Sequence, residues 1–250
     1  TKMLEDRNGI KYEINSDVRF TGKCVEYYER LTIDEEELQK KKVEEHFKLG
    51  ERHGLYLEWY ENGQKKREGN YKNGKPDGVW TKWYENGQKM GEGHFKNGKP
   101  DGVYTEWYEN GQKSEKGSCK NGKLDGLWTT WYENGQKMDE GSRKKGWKEG
   151  LWTYWYENGQ KKKEGNYKDF STEGLWTYWY ENGQKKEEGN YKDHNQDGLW
   201  VFWDSSGQKL KEGSYKNGKK EGLWTRWVVE ENYKNGKKEG ILSGWFRKRR

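Results

Sequence analysis

A period of 24 residues governs this sequence. Gln64, Gln88, Gln112, Gln136, Gln160, Gln184 and Gln208 recur at that spacing, and Trp59, Trp83, Trp107, Trp131, Trp155, Trp179, Trp203 and Trp227 keep it without substitution. Each period must then be one small unit stacked on copies of itself, not a segment of a globular core. One copy reads Gly126-Leu-Trp-Thr-Thr-Trp-Tyr-Glu-Asn-Gly-Gln-Lys-Met-Asp-Glu-Gly141, followed by a second glycine-containing turn.

Asn-Gly between runs rich in Trp, Tyr and Thr predicts a two-residue type I′ hairpin, with both central residues at positive φ. Applied to Asn134-Gly135, this sets Tyr132 opposite Lys137, Trp131 opposite Met138, Thr129 opposite Glu140 and Trp128 opposite Gly141. The same register pairs Trp80 with Gly93 and Trp152 with Gly165, so that an indole covers backbone which glycine leaves bare. Alternation along the strands puts Trp80, Tyr84, Gly93 and Phe95 on one face and Val79, Thr81, Trp83, Met90 and Glu92 on the other. The second face thereby gains a tryptophan stripe through Trp131, Trp155, Trp179 and Trp203. The second turn, Lys72-Asn-Gly-Lys-Pro-Asp-Gly78, fits a tight hairpin or a longer loop. Either one gives an all-β fold, an elongated single-layer antiparallel meander with two strands per unit, advancing about 10 Å per unit.

Composition agrees. Only 28% of the 250 residues are hydrophobic, and aromatic residues (16%) are more than half of that share. Alanine is absent, which argues against a helical bundle, while 16 Trp argue against disorder. A chain so poor in aliphatic volume lacks a deep core and hence a deep pocket, an argument against catalysis. No apolar run approaches the roughly 18 residues that cross a bilayer as a helix, and no signal-like segment is present, so a soluble chain is expected. The excess of 49 basic over 43 acidic residues is spread along the length, which does not indicate nucleic-acid binding.

The stretch Gly69-Asn-Tyr71-Lys-Asn-Gly74-Lys-Pro-Asp-Gly78 has the pattern G-x-Y-x-x-G-x-x-x-G and resembles the core of a MORN repeat. Its continuation through Trp80, Trp83, Tyr84 and Gln88 is similar to the bacterial variant of that repeat, over about Gly22 to Phe246. The resemblance implies successive hairpins in a single-layer sheet, used for protein association or membrane-proximal scaffolding. In bacteria it implies antitoxin or immunity partners of toxins, or envelope proteins.

Four regions follow. Residues 1–21 form a non-repeat leader or cap with an edge strand at Ile10 to Ile14. Residues 22–54 form a degenerate first unit with an inserted segment at 30–45, whose stretch from Asp34 to Glu45, acidic then basic, suits a short helix. Residues 55–222 hold the regular units, and 223–250 a truncated unit, a capping strand and the basic tail Arg247-Lys-Arg249-Arg250. Phe170 and His194 replace the glycine of the second turn, so those two turns are expected to differ in conformation or length.

Little else in the chain suggests chemistry. The carboxylates Glu68, Glu92, Glu140, Glu164, Glu188 and Glu212 recur about 10 Å apart, too far for a catalytic pair, and are expected to partner Thr or Lys across the strands. The acids Asp77, Asp101, Asp125, Glu149, Glu173, Asp197 and Glu221 read as turn formers. His46, His53, His94 and His194 are scattered, Cys24 and Cys119 lie about four units apart, and neither a metal nor a cofactor is expected.

The expected function is therefore a non-enzymatic scaffold for a protein partner, with a toxin as the concrete case, or for self-association through a sheet face. The competing expectation is a module for anionic membrane surfaces or carbohydrate, using the basic tail or the aromatic face. Identical units cannot encode a unique register. The partner-binding candidates are accordingly the positions where units differ, Trp147, Phe170, His194, Phe202 and the 34–45 insertion, with Arg247, Arg249 and Arg250 of the tail. The expected location is the bacterial envelope or the exterior if a leader once preceded Thr1, and the cytoplasm otherwise.

Overall fold

Strands and the turns between them make up the chain in the computed structural model, which describes residues 4–14, 16–28, 40–226 and 230–242. No helix forms among the described residues. Two units divide the chain, Thr1–Asp125 and Gly126–Arg250. The first holds β1 (Leu4–Arg7), β2 (Ile10–Glu13), β3 (Gly22–Tyr27), β4 (Lys41–Lys48), β5 (Glu51–Trp59), β6 (Lys65–Lys72), β7 (Lys75–Trp83), β8 (Lys89–Lys96), β9 (Lys99–Trp107), β10 (Lys113–Lys120) and β11 (Lys123–Leu124). The second holds β12 (Gly126–Trp131), β13 (Lys137–Lys144), β14 (Trp147–Trp155), β15 (Lys161–Lys168), β16 (Ser171–Trp179), β17 (Lys185–Lys192), β18 (Asn195–Trp203), β19 (Lys209–Lys216), β20 (Lys219–Arg226), β21 (Glu230–Lys234) and β22 (Lys237–Leu242). Within each unit, only strands consecutive in the chain pair, always antiparallel, and neither β3–β11 nor β12–β22 closes on itself among the described residues. The all-β antiparallel meander expected from the period is the fold.

The Asn-Gly-Gln turn is not the two-residue type I′ hairpin expected from the sequence, and the second turn, for which a tight hairpin or a longer loop was open, takes that form. In Tyr132-Glu-Asn-Gly-Gln136, Trp131 pairs with Lys137 across a bulge, not with Met138. Gly135 N–H donates to Tyr132 O and Tyr132 N–H to Gln136 O, both at 2.9 Å, and of Asn134 and Gly135 only Gly135 has positive φ, at 83°. This is a type I turn followed by a left-handed glycine. Asn134 is held by its side chain instead, since its Oδ1 accepts from Gln136 N–H at 2.9 Å. The second turn is the type I′ one. Lys72 pairs with Lys75 around Asn73 and Gly74, at φ 50° and 72°.

Phe170 and His194 also depart from expectation. Their turns keep the two-residue length, with Lys168 opposite Ser171 and Lys192 opposite Asn195. Phe170 and His194 are held at φ 71° and 65°, the left-handed conformation that glycine occupies in the neighbouring turns. The ladders on both sides fix the geometry, so the side chain bears the strain, about 1–2 kcal/mol for a non-glycine residue.

At the chain start, β2 pairs with β1 in a separate hairpin, so Ile10–Glu13 is not an edge of the meander. It reaches the meander through Lys11 N–H to Gly50 O, at 2.9 Å, and through Phe20, whose ring centre lies 6.0 Å from that of Phe47. The helix expected within 34–45 is overturned at its C-terminal end. Lys41–Lys48 is strand β4, because Val43, Glu45 and Phe47 keep the two-residue alternation against β3 and β5. Residues 29–39 lie outside the described residues.

Trp128 stands opposite Gly141, Trp80 opposite Gly93 and Trp152 opposite Gly165. Trp80, and each tryptophan of this position from Trp152 on, also has a glycine on its other flank, and that one it covers. The Trp152 ring lies over Gly141, Trp176 over Gly165, Trp200 over Gly189 and Trp224 over Gly213, leaving each indole at most 1% exposed. A bulge beside each glycine brings a backbone carbonyl under the ring edge, and the indole N–H takes it. Trp152 Nε1 donates to Ser142 O at 3.0 Å and Trp200 Nε1 to Asn190 O at 3.1 Å. Burying such a ring contributes on the order of 4 kcal/mol before entropic costs.

Two predictions follow from this geometry. Gly165→Ala should destabilise the protein by about 1–3 kcal/mol in chemical denaturation, because the new methyl overlaps the Trp176 indole. Gly91→Ala should stay within about 1 kcal/mol of the parent, since a methyl there meets nothing nearer than Glu106 Cγ at 3.7 Å. Separately, His194→Gly relieves the positive φ but removes the Nδ1 acceptor of Thr172 N–H, two opposed terms of about 1 kcal/mol each, so stability in chemical denaturation should stay within about 1 kcal/mol of the parent.

Candidate functional site

The two faces of the sheet are covered unequally. On the glycine face the buried tryptophans carry a second tier of tyrosine and lysine. The Tyr167 and Trp176 rings meet edge to face at 5.3 Å, and Tyr191 and Trp200 at 5.1 Å. Tyr154 and Tyr178 hydroxyls pair with those of Tyr167 and Tyr191 at 3.1 and 3.2 Å. Burial is the main cause that pushes Tyr154 and Tyr178 well above the ordinary tyrosine range. Phe202 belongs to this tier. It lies half-buried between Trp200 and Trp224, at 6.2 and 6.1 Å, beneath Lys211 Nζ at 4.4 Å, and so serves packing.

The opposite face carries a repeating polar set. Thr153 Oγ1 donates to Glu164 at 2.9 Å, Lys161 Nζ donates to the same carboxylate at 2.7 Å, and that ammonium lies 5.6 Å from the Trp179 ring centre. Thr177, Glu188, Lys185 and Trp203 repeat the arrangement, as do Thr129, Glu140, Lys137 and Trp155. Burial alone would raise the Glu164 and Glu188 carboxyls, but the lysine and threonine hydrogen bonds outweigh it and hold both below the usual range. These carboxylates stay ionised and committed to neighbours. Trp131, Trp155, Trp179 and Trp203 are half-buried here.

Beside this set stands a row of exposed aliphatic side chains. Leu127, Leu151, Leu175, Leu199 and Leu223 occupy the same place in successive repeats of the second unit and are 50–61% exposed. Val79 and Val103 continue the pattern in the first unit. The sequence already put Val79 on the face of Thr81 and Trp83. Its exposure was hidden because the bulge that frees it is set by long-range pairing.

The strand ends form two turn edges. At one, each Tyr-Glu-Asn-Gly-Gln turn is tied to the next: Tyr156 Oη donates to Trp179 O and Asn158 Nδ2 to Glu181 O, both at 2.8 Å. At the type I′ edge the turn acids act on the following turn, as where Asp101 accepts from Asn121 N–H at 3.0 Å. This edge brings two of the sequence candidates together. Trp147 and Phe170 meet edge to face at 4.8 Å while staying 59% and 61% exposed. His194 is committed elsewhere, its Nδ1 accepting from Thr172 N–H at 3.2 Å. Arg247, Arg249, Arg250 and residues 29–39 of the insertion lie outside the described residues.

Cys24 and Cys119 are free thiols on β3 and β10, seven strands apart in the first unit, and burial pushes both pKa values up, which disfavours the reactive thiolate. His46 Nδ1 is spent on Leu55 O at 2.9 Å. Among the described residues, no three His, Cys, Asp or Glu side chains gather as metal ligands would.

Seven successive segments, residues 52–73, 76–97, 100–121, 124–145, 148–169, 172–193 and 196–217, match the family model described as MORN repeat variant. Such repeats are generally associated with protein or membrane-lipid interactions. No curated protein matches the chain. The matches cover more than half of the sequence in tandem, and each runs from a strand through the Gly-Gln turn, preceded by Asn in all but the last, to the next type I′ turn, so the chain belongs to the MORN repeat variant family.

Proposed function

We propose that this chain is a non-enzymatic scaffold that binds a protein partner along the threonine face. The observation that carries the proposal is the row Leu127, Leu151, Leu175, Leu199 and Leu223. Burying a leucine stabilises a fold by roughly 1.5–3 kcal/mol, yet a chain this poor in aliphatic residues leaves these half exposed. Their spacing is two strand widths, about 10 Å, which presents a periodic apolar line flanked by lysine–glutamate pairs. An apolar centre with a charged rim is the anatomy of a protein interface. The carboxylates of the same face are bound to threonine and lysine, which supports a binding role over catalysis. The concrete form proposed is a bacterial antitoxin or immunity protein, or a cell-envelope repeat protein, and it rests on the family resemblance.

Leu151→Asp/Leu175→Asp, which alters two exposed positions, tests the proposal. Captured from its source cells in modest salt, the parent chain should retain one stoichiometric protein and the double variant should lose it, with melting temperature within a few degrees of the parent. Retention of the same partner by the variant would contradict the proposal. So would recovery of no protein while the chain binds anionic vesicles or glycans.

A further inference from the structure

One repeat of the glycine face places a cation in its aromatic column. The aromatic column through Tyr71, Phe95, Tyr167, Tyr191 and Tyr215 is interrupted by Cys119 and Arg143, and the residue after the type I′ turn that follows Arg143 is Trp147, where Lys75, Lys99, Lys123 and Lys219 stand in four other repeats. One repeat later Phe170 stands in the glycine position. Together these departures open a cleft of about 320 Å³ lined by Arg143, Gly146, Trp147, Lys148, Tyr167 and Phe170.

Arg143 Nη1 donates to Gly146 O at 3.1 Å, whereas its Nε is buried without a hydrogen-bond partner. A buried donor left unmade is costly, so the guanidinium sits here without its full set of partners. Lys148 Nζ lies 4.1 Å from the Trp152 ring centre and donates to Tyr154 Oη at 2.6 Å. Burial is the main cause that lowers its pKa, and an anion beside it would offset that. Neither cation forms an ion pair among the described residues, in contrast to Lys137, Lys161, Lys185 and Lys209 on the other face. The cleft therefore holds two cations in no direct ion pair, with Asp139 the carboxylate that acts on Lys148 through space, beside two exposed rings. Its walls are too open to enclose a small molecule, which normally buries most of its surface, so the occupant has to bring its own bulk.

We propose that this cleft docks an acidic segment of a protein partner, with a carboxylate on Arg143 and Lys148 and an adjoining apolar side chain against Trp147 and Phe170. The strained Phe170 fits such a role, because backbone strain is retained where a side chain is needed in place. The inference rests on the protein-binding function proposed above but uses a different surface.

The test is a random peptide library displayed on phage and selected against the intact chain, followed by fluorescence anisotropy with the best enriched peptide. Enriched sequences should combine Asp or Glu with an aromatic or aliphatic residue. Arg143→Gln, Lys148→Gln and Trp147→Ala should each weaken the peptide by about tenfold or more, and Lys192→Gln, which removes the same charge elsewhere, should not. Phe170→Gly separates binding from folding, since it should weaken the peptide while leaving the melting temperature equal or higher. Enrichment without acidic residues, or affinities unchanged in the Arg143 and Lys148 variants, would overturn the inference. In that event the leucine row would still stand or fall on its own partner capture.

Discussion

An indole lying flat on a glycine, its N–H on the carbonyl at the neighbouring bulge, is the contact on which the rest depends. A sheet one layer thick has no second layer to bury its apolar groups against. Here each tryptophan finds its covering surface in the adjacent strand itself, because glycine lets the ring approach the backbone. The hydrogen bond to the bulge carbonyl fixes the orientation of the ring and satisfies a polar group that the bulge removes from the ladder. Where Tyr104 replaces tryptophan, the ring still lies on Gly93, but its hydroxyl donates to Glu106 instead.

From this contact comes a division of labour between the faces. The glycine face covers itself with tyrosine, phenylalanine and lysine side chains, and the repeat at Arg143 stands out because a cation replaces an aromatic ring of that cover. The threonine face is held by hydrogen bonds and ion pairs. Its lysines are about half exposed and its glutamates less so, and such partly solvated pairs contribute little stability each. They keep the half-buried tryptophans under a polar layer while the leucines project beyond it. The turns join repeat to repeat at both edges, so stability accumulates between neighbours.

Much of this was legible in the sequence, because a period of 24 with invariant tryptophan fixes strand number, faces and the opposition of Trp128 to Gly141. The turn assignment failed for a physical reason. Asn-Gly serves both the type I′ turn at Asn73-Gly74 and the bulged turn at Asn134-Gly135, and the difference lies in the flanking Tyr and Gln, whose backbone closes the second loop. Phe170 and His194 were expected to change their turns, but the paired strands impose the geometry and the residues conform. Sequence alone assigned the covered glycine to the hairpin partner, whereas the bulge turns each indole toward the preceding strand. Arg143 and Lys148 carried no signal in the sequence, because two more basic residues among 49 read as solvated charges until the pairing sets them side by side.

The most direct test of the central contact is solvent exchange of the indole N–H protons, followed by nuclear magnetic resonance on the folded chain. The structure predicts two populations. The N–H protons of Trp80, Trp152, Trp176, Trp200 and Trp224, each bonded to a backbone carbonyl beneath a buried ring, should exchange only on global or subglobal opening. Those of the half-buried Trp155, Trp179 and Trp203 should exchange much faster. A single population, with both sets exchanging at similar rates, would contradict the account.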